Sequence, residues 1–290
     1  MIDAIVQGIL TGGLYALFAA GLSLMFGVMR LVNLAHGDIA VLAGFGAVIF
    51  VQSAGVSPLL ALLLVVPLAA VLGYAVQRGL LTRTVGPSPL PSLLVTFGLS
   101  VVLQNVLLLA FSADQRRLPS GSFTQQSVPV LGLSIGLLPL AIFATAVAVL
   151  GGLSLFLART STGRVIRATR DDPEAARLMG VNPRHVYGIA AAIAFGSVAV
   201  AGFAYGTTTS FTPTSGPVLL LFAFEAVIIG GLGRLWGTLV GGVLLGVAQN
   251  VGAYIDPAQQ ILAGHLVFLL VLAVRPQGIL GGRAPAAVTA

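Results

Sequence analysis

The chain has 290 residues, of which 57% are hydrophobic and 8% are charged. Soluble domains carry roughly 25% charged residues, so this composition predicts a protein whose surface lies in lipid. The formal net charge of +6 is attributed to membrane topology rather than to nucleic-acid binding, so no nucleic-acid partner is expected.

Two residue types, cysteine and lysine, are missing from the sequence. Without lysine the chain has neither a P-loop nor a Schiff-base nucleophile, so it is not expected to hydrolyse ATP. Any ATPase, with its ATP and Mg²⁺, is therefore expected to be a partner subunit rather than this chain. The lack of cysteine and the three scattered histidines argue against a zinc site.

Seven apolar segments are long enough for a spanning helix, which needs about 20 residues. They lie near 5–28, 36–52, 58–77, 92–111, 135–158, 187–209 and 260–274. A further apolar stretch at 218–253 is interrupted by GGLGR at 230–234, which predicts two short helices joined by a turn. Residues 1–290 are thus predicted to form one all-α integral membrane domain, a polytopic bundle of about eight to nine transmembrane helices.

The arginines test this topology, because cytoplasmic loops carry an excess of basic residues. With the N-terminus outside and 218–253 split into two helices, only Arg116 and Arg117 fall on the outer side. The predicted inner arginines are Arg30, Arg78, Arg83, Arg159, Arg164, Arg167, Arg170, Arg177, Arg184, Arg234, Arg275 and Arg283. A single helix over 218–253 would place Arg275 and Arg283 on the outer side, so two helices are preferred.

The predicted inner loop 159–186 contains the residues that begin and end a short helix. Asp172 is suited to cap its N-terminus, Pro173 to the first helical position and Glu174 to the positive end of the helix dipole. Gly180 is suited to the left-handed residue that ends it. We therefore predict a short helix that begins after Asp172.

A helix of this length is not stable alone in water, so it needs a surface on which to dock. Ala175 and Ala176 keep it slender, while Leu178 and Met179 offer apolar contact. These features predict a peg that enters a groove of a partner protein.

Glu174, Ala175 and Ala176, followed by Gly180, resemble the EAA-x-x-x-G loop of bacterial ABC importer permeases. The resemblance extends along the chain to the LivH type of branched-chain amino acid permease. It is carried by NLAHG at 33–37, LQN at 103–105, GR at 163–164 with RA at 167–168, GGLG at 230–233 and RPQGIL at 275–280. The Ile-x-Leu-Pro tail of some importer loops is absent after Gly180, so the docking geometry stays open.

The resemblance implies a permease subunit that forms the translocation pathway of an ABC importer in the bacterial inner membrane. Its implied partners are a second, LivM-like permease, two ATP-binding subunits and a soluble binding protein that delivers branched-chain or related amino acids. The implied ATPase-coupling residues of the 159–186 loop are Gly163, Arg167, Asp171, Asp172, Glu174, Ala175, Ala176, Leu178 and Gly180.

A second set of residues forms candidate pathway or structural-break positions: Asn33, His36, Gly37, Asp38, Gln104, Glu225, Gly230 and Gly231. Ionisable residues inside membranes are functional candidates. We expect His36 and Asp38 near the membrane boundary, where a structural break is favoured over substrate contact. Glu225 is the deepest acid by position and is a candidate for a cavity-lining or paired carboxylate, although a structural hydrogen bond explains it equally well. For Gln104 and its neighbour Asn105, interhelical hydrogen bonding is the favoured alternative to substrate binding.

The substrate stays open, because a permease for urea or short amides would satisfy the same motifs. A stand-alone secondary transporter is a further alternative, although it would need several buried carboxylates to couple ion movement to transport. An intramembrane enzyme ranks last, because the sequence has no HExxH motif and no pair of deep carboxylates.

Overall fold

The structure is a computed structural model that describes residues 1–86, 88–119, 126–130 and 133–281. The part it describes is built almost wholly from α-helices. In chain order these are α1 (Ile2–Met29), α2 (His36–Ser53), α3 (Pro58–Gly79), α4 (Leu90–Phe111), α5 (Leu137–Arg159), α6 (Ser161–Asp171), α7 (Pro173–Leu178), α8 (Pro183–Thr208), α9 (Gly216–Gly230), α10 (Leu235–Ile255) and α11 (Gln260–Val274).

Eight helical segments in the described chain are long and apolar enough to cross a membrane, and α9 is a shorter apolar helix. Short 3₁₀ turns at Leu81–Arg83 and Pro257–Gln259 extend α3 and precede α11. The predicted all-α polytopic bundle is confirmed, because these helices account for nearly all the segments expected from hydropathy.

The loop between α4 and α5 contains a small hairpin that the sequence analysis did not predict. Strands β1 (Ser127–Val130) and β2 (Leu133–Gly136) pair antiparallel, with Ser127 opposite Gly136. Two strands of four residues are too short to give a clear alternating pattern in the sequence.

The predicted break in the 218–253 stretch is confirmed, because α9 ends at Gly230 and α10 begins at Leu235. Gly231 has a φ of 103°, a left-handed value that favours glycine. A Cβ on Gly230 would lie 1.9 Å from the carbonyl oxygen of Gly237. The two helices therefore touch backbone to backbone directly beside the turn.

Helix α1 lies at the centre of the bundle and packs against α5, α8, α9 and α10. Its contact with α10 is made by small residues: a Cβ on Gly12 would lie 2.7 Å from the oxygen of Gly242, and one on Gly246 would lie 2.3 Å from the oxygen of Gly8. Lipid provides no hydrophobic drive between helices, so such close backbone approach is a main source of their attraction.

The arginine-bearing ends of the helices lie together at one end of the bundle. Two clefts there share Arg30 and Arg170, and between them they also contact Arg177, Arg184 and Arg234. At the opposite end, Arg116 pairs with Phe211 through two backbone hydrogen bonds of 2.9 Å. This separation agrees with the predicted topology, in which the arginine-rich end is cytoplasmic. Arg283 lies outside the described residues.

Replacing Gly12 by alanine is expected to destabilise the bundle by about 1–3 kcal/mol, the usual cost of overpacking. The added methyl group would lie 2.4 Å from the Cα of Val243, and backbone cannot give way as a side chain can. The midpoint of thermal unfolding in detergent measures the effect. The control is Gly152→Ala on α5, whose Cβ has no neighbour within 4 Å among the described atoms; equal midpoints for the two variants would contradict the packing.

Candidate functional site

The arginine-rich loop between α5 and α8 folds into two helices, α6 and α7. The sequence analysis predicted only one short helix there, the one that corresponds to α7. Helix α6 begins where Thr160 Oγ1 accepts a hydrogen bond of 2.9 Å from the Gly163 amide. Gly163 and Ile166 are buried while Arg164 and Arg170 are exposed, so α6 is an amphipathic helix that lies against the bundle.

Helix α7 begins as the sequence predicts. Asp172 Oδ1 accepts hydrogen bonds of 2.9 Å from the amides of Glu174 and Ala175, and Pro173 occupies the first helical position. Two otherwise unpaired amide groups at the helix start are thereby satisfied. The predicted N-terminal cap is confirmed.

The end of α7 is a Schellman motif. The Gly180 amide donates to the oxygen of Arg177 and the Val181 amide donates to the oxygen of Ala176, each at 3.0 Å. Gly180 has a φ of 83°, as the predicted left-handed stop requires. Asn182 Oδ1 then accepts from the Arg184 amide at 3.1 Å and begins α8, so α7 is joined to a long helix by a short, hydrogen-bonded connection.

The two faces of α7 differ sharply in exposure. Ala176 is 6% exposed and lies against the bundle, whereas Leu178 is 89% exposed and Met179 is 85% exposed. Two large apolar side chains at the tip of a short surface helix indicate a contact surface rather than a solvated one. The described chain thus presents an apolar peg of the kind predicted from the sequence.

Charged residues surround the base of this peg. Asp171 forms an ion pair of 2.9 Å with Arg170. Glu174 and Arg177 line a cleft of about 640 Å³ that also contacts Arg30. Arg167, which was grouped with the coupling residues, lies instead in a separate cleft with Arg234 and Trp236.

Replacing Asp172 by alanine is expected to destabilise α7 locally by about 1 kcal/mol, because two amide groups lose their acceptor. Amide exchange of the 173–181 peptide should then rise about fivefold, since exchange follows local opening. Hydrogen exchange with mass spectrometry measures it. Asp171→Ala is the matched control, because Asp171 caps no helix and is held only by its exposed neighbour Arg170; equal exchange in the two variants would contradict the cap.

The second group of predicted site residues lies deeper than the sequence analysis placed it. His36 is fully buried and its Nε2 donates a hydrogen bond of 2.9 Å to the oxygen of Phe18, near the middle of α1. The expectation that His36 and Asp38 lie near the membrane boundary is therefore wrong. The cause is the connection from α1, which turns back into the bundle before α2 begins.

This returning segment is held by side-chain hydrogen bonds. Asn33 Oδ1 accepts from the Ala35 amide at 3.0 Å, and Thr96 Oγ1 on α4 accepts from the Leu34 amide at 3.1 Å. The predicted structural break at 33–37 is present, although it lies inside the bundle.

Helix α9 also begins inside the bundle, and its N-terminus meets that of α2. A Cβ on Gly37 would lie 1.9 Å from the oxygen of Gly216, and a Cβ on Gly216 would lie 2.0 Å from Oδ1 of Asp38. The chain enters α2 from the arginine-rich end of the bundle and enters α9 from the opposite end. Helices that start inside a membrane domain and face each other in this way are typical of transporters.

Asp38 is the charged group at this junction and is 1% exposed. Its Oδ2 accepts a hydrogen bond from the Ser100 hydroxyl on α4. Gln104 Nε2, one turn along α4, donates to the same hydroxyl at 3.1 Å. Oδ1 has no hydrogen-bond partner among the described residues.

Glu225 forms the second buried polar group. Its side chain is 2% exposed and accepts a hydrogen bond from Nδ1 of His265 on α11. Nearby, the Tyr15 hydroxyl donates to Oε1 of Gln249. The sequence analysis missed His265 because its partner lies forty positions away; an ionisable residue within an apolar helix was the available signal.

The remaining predicted residues have structural positions. Gly230 and Gly231 form the α9–α10 turn described above. Asn105 donates to the oxygen of Val101 in its own helix at 2.8 Å, and Gln104 likewise bonds within α4. Gln104 reaches Asp38 on α2 through the Ser100 hydroxyl and so takes part in an interhelical network, whereas the amide of Asn105 bonds within α4 in the described chain.

A multi-pass bundle with helices that begin inside it is typical of a membrane transporter, and the exposed apolar tip of α7 is a candidate contact for a partner protein. Comparison with known proteins agrees. The family model described as "Branched-chain amino acid transport system / permease component" matches residues 4–274. The chain belongs to this family of transport permeases and is a multi-pass protein of the bacterial inner membrane, not an enzyme.

Individual relatives are similar over nearly their whole length. The chain is 30% identical to the branched-chain amino acid permease BraD of Pseudomonas aeruginosa, over 97% of this chain and 95% of BraD. It is 27% identical to LivH of Salmonella typhimurium, over 95% of this chain and 94% of LivH. Among solved structures, a chain of PsaBC from Streptococcus pneumoniae in complex with Fab matches with a TM-score of 0.52 at 12% identity, covering 96% of this chain and 97% of that one, which shows a shared fold.

Proposed function

We propose that this chain is the permease subunit of an ATP-driven importer for branched-chain amino acids. It forms the translocation pathway together with a second, LivM-like permease, and it is driven by two ATP-binding subunits. A soluble binding protein delivers the substrate at the outer face. The observation that carries the proposal is the capped helix α7 with its exposed apolar tip, in a chain that belongs to this permease family.

The contacts of α7 suggest how its movement reaches the bundle. The Schellman motif and the Asn182 cap connect α7 to α8 without a flexible linker. Helix α8 packs against α1, α2 and α3, and a Cβ on Gly202 of α8 would lie 2.0 Å from the oxygen of Ala40. Tightly packed helices shift as units, so displacement of α7 by the ATPases would move α8 and, through it, α2.

This movement would act on the junction where α2 meets α9. The junction is held by close backbone contact between Gly37 and Gly216 rather than by long side chains. Such a contact has few intermediate positions, so it favours two discrete arrangements. The proposal assigns them to the inward-open and outward-open states, between which ATP binding shifts the population.

A stand-alone secondary transporter is the second candidate, because Glu225, which pairs with His265, is a buried ionisable group of the kind that couples ion movement to transport. Affinity purification through a tag on this chain distinguishes the two. The proposal predicts that ATP-binding subunits and a second permease co-purify. Purification of the chain alone, with uptake that persists without ATP, would support the second candidate.

The substrate class needs its own experiment, because urea or short amides are the alternative cargo. Proteoliposomes holding the complex should take up labelled leucine in the presence of the loaded binding protein. Unlabelled valine and isoleucine should compete, whereas urea and acetamide should not. Competition by urea alone would reassign the substrate and leave the ATP-driven mechanism intact.

A further inference from the structure

The exposed face of α4 carries an amide in a position that lipid does not favour. Asn105 is exposed, and its neighbours on the same face are apolar: Val101, Val102 and Leu109 are 44%, 57% and 89% exposed. Helix α4 is about 33 Å long, close to the hydrocarbon thickness of about 30 Å, and Asn105 lies about 9 Å from its last residue. The amide donates one hydrogen bond to the Val101 oxygen at 2.8 Å, and in lipid its remaining donor and acceptor would have no water to bond to, which is costly.

Behind this amide, a line of polar groups leads to the buried carboxylate. Gln104 is half-buried beside Asn105, and its Nε2 bonds to the Ser100 hydroxyl at 3.1 Å. The same hydroxyl donates to Oδ2 of Asp38. Polar groups therefore extend from the surface of α4 to the junction of α2 and α9. The other exposed residues of α4 are all non-polar.

The carboxylate at the junction of α2 and α9 has no cationic partner in the described chain. Asp38 is 1% exposed, and its Oδ1 has no hydrogen-bond partner in the part of the chain that is described. The arginines of the described residues lie at the two ends of the bundle, and the nearest histidine in sequence, His36, is engaged with Phe18. A buried carboxylate without a cationic partner is costly unless a ligand or a proton neutralises it during function.

We propose that the face of α4 with Gln104 and Asn105 lines the aqueous pathway, and that Asp38 receives the ammonium group of the transported solute when the junction opens. The inference rests on the proposed function for the existence of a pathway. It goes beyond that function by stating which face of this chain meets the solute and which chemical group recognises it. A carboxylate selects an ammonium group, and the Ser100 hydroxyl, held by the Gln104 amide, orients the Asp38 carboxylate.

The absence of cysteine from the sequence makes single-cysteine labelling the first test. Asn105→Cys and Gln104→Cys, in the assembled transporter in liposomes, should react with a membrane-impermeant thiol reagent at least about tenfold faster than a lipid-facing cysteine, because only a hydrated thiol forms thiolate. Val71→Cys on α3 is the control, since Val71 is 68% exposed and its nearest neighbours on the same face, Leu68 and Ala75, are apolar. Saturating leucine with loaded binding protein should slow the reaction of both test variants.

The second test separates charge from structure. Asp38→Asn keeps an acceptor for Ser100 but removes the negative charge, so a merely structural Asp38 would tolerate it. We expect the apparent KM for leucine uptake to rise about 10- to 100-fold, the value of a charged hydrogen bond. The yield of monodisperse complex should be unchanged, because asparagine has the same shape as aspartate and its Oδ1 still accepts from the Ser100 hydroxyl.

The outcomes separate this inference from the proposed function. If Asn105→Cys is as unreactive as Val71→Cys, or becomes reactive only after the second permease is removed, the α4 face is a subunit contact and the inference is wrong. Wild-type uptake with unchanged KM in Asp38→Asn would likewise overturn the ammonium site. In both cases, ATP-driven uptake by the unaltered complex would still support the proposed function. Uptake by the unaltered complex that does not depend on ATP would contradict the proposed function.

Discussion

Replacing Gly37 by alanine is expected to prevent most of the chain from reaching its folded state. The added Cβ would lie 1.9 Å from the oxygen of Gly216 and 2.8 Å from the amide nitrogen of Leu220. Both are backbone atoms of α9, so the strain cannot be relieved by a change of rotamer. The cost should reach or exceed the upper end of the about 1–3 kcal/mol typical of overpacking, a large share of a stability of about 5–15 kcal/mol.

The matched control for this variant lies on the same helix. A Cβ on Gly46 would have Val65 Cγ2 as its nearest neighbour, at the ordinary contact distance of 3.6 Å. Gly46→Ala should therefore give the unaltered yield of monodisperse protein from detergent, whereas Gly37→Ala should give severalfold less. Equal yields and equal thermal midpoints for the two variants would show that α2 and α9 do not meet as described.

Replacing both Leu178 and Met179 by serine is expected to weaken association with the ATP-binding subunits at least about 100-fold. Burial of one such side chain in an interface is worth about 1.5–3 kcal/mol, and both are more than 80% exposed in the free chain. The caps of α7 use Asp172, Gly180 and backbone groups, so the helix itself should persist. Microscale thermophoresis of the permease in nanodiscs with labelled ATPase subunit measures the affinity.

Two controls make this second prediction specific. Leu178→Met preserves the apolar volume and should bind within a few-fold of the unaltered chain. Arg177→Ala removes an exposed charge beside the peg. Because exposed ion pairs contribute about 0–1 kcal/mol, this variant should also bind within a few-fold of the unaltered chain. An unchanged affinity in the double serine variant would show that the apolar tip of α7 is not the docking surface.

The local features of this structure could be predicted from the sequence because their causes are local. Spanning helices follow from apolar length, and the α9–α10 turn follows from glycines at adjacent positions. The caps of α7 depend on Asp172 and Gly180, each of which acts on amides or carbonyls within a few residues. Helix α6 was missed because Ile166 is the one large apolar residue among its three buried positions, and it lies within a run of arginines.

The features that depend on tertiary contact could not be predicted in the same way. His36 was placed near the membrane boundary because hydropathy gives the start of a helix but not its depth, which is set by contact with Phe18 on another helix. The meeting of Gly37 with Gly216 and the pairing of Glu225 with His265 join residues far apart in the chain. A single sequence carries no sign of which distant residues face one another.

The central claim is that ATP hydrolysis by partner subunits drives solute through this permease, and one measurement tests it directly. The complex is reconstituted in proteoliposomes with ATP enclosed or absent, and leucine uptake and ATP hydrolysis are followed together after addition of the loaded binding protein. We predict that uptake requires ATP and that the binding protein stimulates hydrolysis. Uptake of equal rate and extent without ATP, or hydrolysis that proceeds without any accumulation of solute, would contradict the account.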